Sequence, residues 1–173
     1  MKPLKYFLLL AALWLQSCAP TQSMDAFYEK HKEGTDVLAF RVPPVMFSLL
    51  GEVSPEMKSL VGTTTDLRYI RLPASGQGEM AALNQQVTHL TSGAFIEVFR
   101  ENEGDKRNIV AIRERGNTVR NIMVYSNNAA FGSVLFIEGK FDPEKVRTLA
   151  REDGFGRLEE TLTGTFGSPG ISE

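Results

Sequence analysis

The stretch IVAIRERGNTVRNIMVYS, Ile109 to Ser126, decides the fold class, because it reads as two apolar strands joined by a turn. Gly116-Asn117 lies between the two halves, where a two-residue hairpin turn requires positive φ. Strand patterns also flank this pair, and the four predicted strands are Phe95–Glu101, Asn108–Arg115, Thr118–Tyr125 and Ser133–Glu138. Strands joined by such short turns must be antiparallel.

Helical and strand patterns alternate before these four strands. The predicted helices before them are Met24 to about Gly34, Val45–Gly51, Ser54–Gly62 and Gly78–Thr91, and the predicted strands are Asp36–Val42 and Asp66–Pro73. A last helix should begin after Asp142, an N-cap residue followed by proline. We expect an α+β fold, a two-layer sandwich in which helices cover one face of a mostly antiparallel sheet of about five to six strands. A ferredoxin-like variant stays open.

Both faces of the predicted hairpin carry apolar side chains. With an unbroken two-residue turn, Val110, Ile112 and Val119 are predicted to share one face, and Ile109, Ala111 and Ile122 the other. One face should meet the helices. A ligand groove, a dimer contact or a sheet that curls on itself would each cover the other, since exposed apolar patches usually mark binding.

The first residues have the pattern of a secretory signal. Lys2 and Lys5 precede an apolar block, Tyr6–Leu15, and the only cysteine, Cys18, follows it. A bilayer-spanning helix needs about 20 apolar residues, which is more than this block offers. Residues 1–17 are therefore predicted to be a signal peptide that is removed.

Leu15-Gln16-Ser17-Cys18 resembles a bacterial lipobox, although Gln16 departs from the usual small residue. The resemblance implies cleavage after Ser17 and a diacylglycerol on the Cys18 thiol. Two or three acyl chains would anchor the protein almost permanently, since one chain alone binds marginally. The alternative is an ordinary signal peptide with an incidental cysteine.

The mature chain then divides into three parts. We expect a lipidated cysteine and short tether at 18–23, a single α+β domain at 24–153, and a flexible tail at 154–173. The tether reaches less than about 20 Å when extended. Position 19 is alanine, not the aspartate that retains many lipoproteins at the inner membrane, so this resemblance implies the outer membrane, facing the periplasm.

Charge and composition limit the function. Removing Lys2 and Lys5 takes the formal net charge from −2 to −4, which does not favour nucleic acid as a partner. The sequence carries no cofactor or metal motif. SGQGEM, Ser75–Met80, leads into a helix and reads as an ordinary turn rather than a phosphate loop. His31 should pack at the edge of the core, and His89 should face solvent.

Three arginines mark a candidate binding surface. With a two-residue turn, Arg113 would face Arg120, and Arg115 would lie beside them. Like charges directly opposite each other are unfavourable unless they are neutralised. The neutralising groups would be Glu97, Glu101 or Glu138 on neighbouring strands. Otherwise the cluster would bind an anionic partner such as a lipid headgroup, a glycan phosphate or an acidic protein surface.

The features that carry a family resemblance are the cysteine after the apolar run, the segments MDAFYEKH and PPVMFSLLGE, the hairpin, and the segment VLFIEGKFDPEKVRTLA. With these features the chain resembles the DUF4252 family over roughly Met24 to Arg151. These are small lipoproteins, typical of Bacteroidota, with no assigned activity. We therefore expect a membrane-anchored, non-enzymatic binding domain. The alternatives are an envelope sensor or accessory protein that acts through a membrane partner, and a small envelope hydrolase that uses Glu97 and Glu101.

Overall fold

The computed structural model describes residues 23–53 and 55–167, with the backbone alone for residues 55 and 56. The helices are Met24–His31 (α1), Phe47–Leu50 (α2), Pro55–Val61 (α3), Gln77–Thr91 (α4), Pro143–Arg151 (α5) and Gly154–Phe166 (α6). The strands are Leu38–Arg41 (β1), Thr64–Pro73 (β2), Ile96–Glu103 (β3), Lys106–Glu114 (β4), Val119–Asn127 (β5) and Phe131–Phe141 (β6). A 3₁₀ turn, Pro44–Met46, leads into α2.

The six strands form one antiparallel sheet in the order β1-β2-β6-β5-β4-β3. The predicted α+β class and the antiparallel sheet are confirmed. The element order differs from the βαββαβ order of a ferredoxin-like unit, because β3 to β6 follow each other without a helix.

The first and fifth helices begin with the side-chain caps that their sequences favour. Ser23 Oγ accepts a hydrogen bond from the backbone N–H of Ala26, 3.1 Å away. Asp142 Oδ1 accepts from the N–H groups of Glu144 and Lys145, as its position before Pro143 predicts. The sequence thus fixes where α1 and α5 begin.

Helices cover both faces of the sheet. On one face, α2, α3, α5 and α6 pack over the larger hydrophobic cluster, which includes Leu67, Ile122 and Leu135. On the other face, α1 and α4 pack over a smaller cluster that includes Phe27 and Phe136. The helices on the first face match the expected sandwich, and α1 and α4 supply the cover for the opposite face that the sequence left open.

The C-terminal segment corrects one expectation. Residues 154–166 form α6 instead of a flexible tail, and Phe155, Leu158 and Leu162 are buried in the larger cluster. These side chains recur at i, i+3 and i+7, so one side of α6 faces the sheet. The domain therefore extends beyond residue 153 to at least Phe166. Residues 168–173 lie outside the described part of the chain.

The sheet has two distinct ends. The near end holds the turn between β4 and β5, the start of β3, and Ser23, where the described chain begins. The far end holds the turns between β3 and β4 and between β5 and β6, together with the N-terminus of α4. Because α4 runs from the far end to the near end, it spans the distance between the two candidate surfaces described next.

Candidate functional site

A cavity with a volume of about 540 Å³ lies at the far end. Its walls are the first turns of α4 and the two turns of the far end. The lining residues with polar side chains are Gln77, Asn84, Asn102, Asp105, Lys106, Arg107, Asn127 and Asn128. This volume falls within the range of small-molecule pockets, and five of these eight side chains are neutral amides.

The side wall of the cavity beneath α4 is a hydrogen-bonded network. Asn84 Oδ1 accepts from the hydroxyl of Tyr125 at 2.9 Å and from Asn127 Nδ2 at 3.1 Å. Asn127 Oδ1 accepts from the backbone N–H of Arg107 at 2.7 Å. These contacts join α4 to β4 and β5, so the wall is held by three elements. A rigid polar surface of this kind loses little conformational entropy when a ligand binds.

Burial keeps this network neutral. Tyr125 is fully buried, and desolvation raises the pKa of its hydroxyl, which therefore remains a protonated donor at neutral pH. Asn127 is also buried. Three charged side chains also line the cavity: Asp105 and Lys106 are exposed, and Arg107 is half-buried. The cavity thus offers neutral donors and acceptors together with one negative and two positive side chains.

Sequence reasoning did not place this cavity. Asn84 and Asn127 meet only because α4 crosses the sheet above β5, and neither residue stands in a recognisable motif. The SGQGEM turn supplied the one local signal, since Gly76, Gln77 and Met80 line the cavity. The sequence of the SGQGEM turn contains no ligand-binding motif. The turn forms part of the cavity wall because the fold places it opposite the two hairpin turns of the far end.

The arginine hairpin forms the second candidate surface, at the near end. The predicted turn is confirmed, because the N–H of Arg115 donates to the carbonyl of Thr118 at 2.9 Å and Gly116 has a φ of +62°. The predicted pairing of Arg113 with Arg120 is wrong. Arg113 pairs with Asn121 and Glu114 pairs with Val119, so Arg120 is the extra residue of a β-bulge.

The bulge removes the like-charge pair that the simple register implied. Arg113 Nε donates to Asn121 Oδ1 at 3.0 Å, and its guanidinium lies 5.2 Å from the centre of the Phe95 ring. Arg115 is exposed and Arg120 is half-buried. The Nε of Arg120 is buried and has no hydrogen-bond partner among the described residues.

The three glutamates expected to neutralise the cluster have other partners. Glu97 forms two hydrogen bonds with Arg100, and Glu101 accepts from the amide of Asn108. Glu138 accepts from Asn121 Nδ2 at 3.0 Å and so reaches Arg113 only through that amide. Among the described side chains, no carboxylate forms an ion pair with any of the three arginines.

A buried arginine lies next to this surface and ties α1 to the sheet. Arg68 on β2 contacts Asp25 of α1, and its Nε lies 2.7 Å from Asp66 Oδ2 without hydrogen-bond geometry. Its guanidinium also lies 5.7 Å from the centre of the Tyr28 ring. Burial alone would lower the pKa of Arg68, but the surrounding carboxylates raise it, so the side chain stays charged.

The two carboxylates of the hydrolase alternative are both exposed. Glu101 lines a second cavity of about 400 Å³ under the α5–α6 junction, whereas Glu97 is not among the residues that line it. Paired acid–base catalysis needs two carboxylates that face one substrate. The structure does not bring these two into one cavity.

The remaining sequence predictions concern the two histidines, the lipobox residues, and the absence of a metal site. His31 packs against Phe27 and its Nε2 lies 3.0 Å from Gln86 Oε1, while His89 is exposed. Ser17 and Cys18 lie outside the described residues. Within the part of the chain that is described, no helix is long and apolar enough to cross a membrane. That part also holds no group of three or more metal-ligating side chains.

A family model described as a domain of unknown function, DUF4252, matches residues 28–149. The match runs from α1 into α5 and includes both hairpins of the far end and the arginine hairpin. No curated protein and no solved structure matches the chain.

Proposed function

Since the chain belongs to the DUF4252 family, we propose that it is a lipid-anchored, non-enzymatic binding protein whose ligand site is the far-end cavity. The lipobox-like residues Leu15 to Cys18 support the anchor, and Ala19 supports the outer membrane with the domain facing the periplasm. The observation that carries the binding role is the amide-lined cavity with its hydrogen-bonded wall.

The chemistry of the cavity defines a class of ligand. Neutral amides donate and accept hydrogen bonds with equal ease, so they suit a ligand that carries both kinds of group. Asp105, Lys106 and Arg107 add one negative and two positive charges. Saccharide hydroxyls and short peptide backbones share this donor–acceptor chemistry, and both classes of ligand occur outside the cytoplasm.

Nuclear magnetic resonance titration tests the cavity directly. The protein is the chain from residue 18 with Cys18→Ser, because both hydrophobic clusters lie within residues 24–166. The probes are chitotriose and trialanine. One of them should shift the backbone amides that line the cavity, in the segments 76–81, 104–107 and 127–129. If neither probe shifts these amides, the cavity does not bind this class of ligand.

Variants on the cavity wall provide a matched comparison. Gln77 and Asn102 are exposed lining residues, so replacing both with alanine should weaken binding without disturbing the core. Gln85→Ala is the control, because Gln85 is exposed on the same helix and does not line the cavity. Equal binding by the double variant and the control would contradict the assignment.

The anchor needs its own measurement. Mass spectrometry of the wild-type protein from native membranes should find an N-terminal acylated Cys18, and a Cys18→Ala variant should fractionate differently. A soluble, unmodified wild-type chain would refute the lipid anchor. It would not affect the assignment of the cavity as a ligand site, which the titration tests separately.

A further inference from the structure

The arginine hairpin carries positive charge that the fold does not neutralise. Every carboxylate described near it has another polar partner, because Glu97 binds Arg100, Glu114 binds Arg147 and Glu138 binds Asn121. Exposed Arg115 has no described ion-pair partner. The near end is therefore locally cationic although the mature chain as a whole is acidic.

The start of the described chain lies beside this charge. Ser23 and Arg113 line the same small cavity of about 180 Å³, together with Phe95 and Glu138. Residues between Cys18 and Ser23 can span less than about 20 Å even when fully extended. A lipid on Cys18 would therefore hold the near end, and not the far end, against the bilayer.

Exposed apolar side chains occur at the same end. Ile96 opens β3 there and is 54% exposed. Val45 and Leu49, which are 78% and 54% exposed, follow β1 at this end, but at the opposite edge of the sheet, so Ile96 is the exposed apolar residue on the side of the arginine hairpin. Apolar side chains beside basic ones are typical of surfaces that enter the headgroup region of a membrane.

We propose that the near end docks on an anionic membrane surface, with the arginine hairpin, Arg113, Arg115 and Arg120, contacting lipid phosphates next to the anchored cysteine. The anchor supplies the proximity, so this docking rests on the lipid attachment of the proposed function. The arginines fix the orientation, which a flexible tether alone would leave free. The amide-lined cavity at the far end would then face away from the bilayer.

Vesicle cosedimentation with the unlipidated chain tests the docking separately from the anchor. The protein is the chain from residue 18 with Cys18→Ser, and the vesicles contain phosphatidylethanolamine with phosphatidylglycerol, or phosphatidylcholine alone. Binding should be stronger to the anionic vesicles and should fall as salt is added. Arg115→Gln should weaken the partition coefficient about fivefold, the contribution expected for one basic residue near an anionic surface.

Arg151→Gln is the matched control, because Arg151 is exposed, makes the same change in net charge and ends α5 away from the near end. It should leave binding unchanged. Equal losses in the two variants, or equal binding to both kinds of vesicle, would overturn the proposal. Neither result would bear on whether Cys18 is acylated, which the mass spectrum decides.

Arg120 offers a second, independent variant. Its buried Nε lacks a partner, so Arg120→Met removes a desolvated donor and should leave thermal stability unchanged or higher. The same variant should lower binding to anionic vesicles about fivefold. A purely structural arginine would show the opposite pattern, with stability lost and vesicle binding retained, and that outcome would also overturn the proposal.

Discussion

Replacing Arg68 with methionine should destabilise the protein because it breaks the one described ion pair in which both side chains are buried. The Arg68 and Asp66 side chains are only 7% and 9% exposed, and they lie 2.7 Å apart. Removing one partner of a buried pair costs about 3–5 kcal/mol. Methionine keeps the apolar stem of the arginine side chain and removes the guanidinium, so the loss of charge dominates the change.

The structure places the expected loss at the lower end of that range. Asp66 keeps a second partner, because Arg41 contacts its Oδ1 and remains in the variant. Asp25 is 69% exposed, and Glu138 lies 3.8 Å from Arg68 with 38% exposure, so both can be solvated when Arg68 is lost. Exposed pairs contribute about 0–1 kcal/mol each. We therefore expect a loss of about 3 kcal/mol in the free energy of unfolding.

Urea unfolding followed by circular dichroism measures this loss, and an unchanged m-value would show that the unfolding transition is the same. Arg71→Met is the control on the same strand. Arg71 is half-buried and lies over the Phe131 ring without a described ion-pair partner, so its loss should be about 0.5–1 kcal/mol. Adding Asp66→Asn to Arg68→Met should restore part of the stability, since it removes the stranded carboxylate. Equal losses for the two methionine variants would refute the reasoning.

Three further predictions concern single sites. Burial lowers the pKa of His31 below its ordinary value of 6.5. The contribution of His31 to the free energy of unfolding should therefore be complete above pH 6.5 and should be lost as the pH falls toward the lower pKa of the folded state. The variant His31→Gln should lack this part of the pH dependence when the free energy of unfolding is measured against pH. Gly132→Ala should lower the free energy of unfolding by about 1–3 kcal/mol in chemical denaturation, because the added Cβ would lie 2.5 Å from Leu83 Cδ2. Gly78→Ala, in the open first turn of α4, should raise it by about 0.5–1 kcal/mol. If Gly78→Ala were the more destabilising variant, the close approach of α4 to β6 would be contradicted. Asp142→Ala should lower the melting temperature through a loss of about 1 kcal/mol, since two N–H groups of α5 lose their cap, and an unchanged melting temperature would mean that the cap contributes nothing.

The sequence predicts the elements whose signals are local. Gly116-Asn117 between two apolar strands gives the β4–β5 turn, and Asp142 before Pro143 gives the start of α5. The register of the same hairpin was not predictable, because the bulge at Arg120 leaves no mark in the composition. One extra residue changes which side chains oppose each other, and the Arg113–Asn121 contact results from that shift.

Other features depend on contacts between distant parts of the chain. The Gly- and Ser-rich stretch Gly164–Glu173 made the segment after residue 153 resemble a tail, yet Phe155 and Leu158 bury one side of a helix that begins at Gly154. Arg68 lies between two apolar residues of β2, a pattern that also fits an exposed strand residue. It is buried because α1 packs against the sheet over it. The cavity likewise needs Asn84 and Asn127 to meet across two elements. Such features require the tertiary fold, which local patterns do not encode.

The order of strands in the sheet also constrains the order in which the protein can fold. Strands β3 to β6 pair with sequence neighbours, but β2 pairs with β6, which follows it more than fifty residues later. The β3–β6 meander can therefore assemble early, whereas one edge of β2 stays unpaired until β6 has formed. Pulsed hydrogen exchange during refolding should accordingly protect β4 and β5 before β2, and simultaneous protection would contradict this order. An unpaired strand edge in a folding intermediate is a surface on which two chains can aggregate, so slow pairing of β2 with β6 would make refolding of this protein sensitive to its concentration.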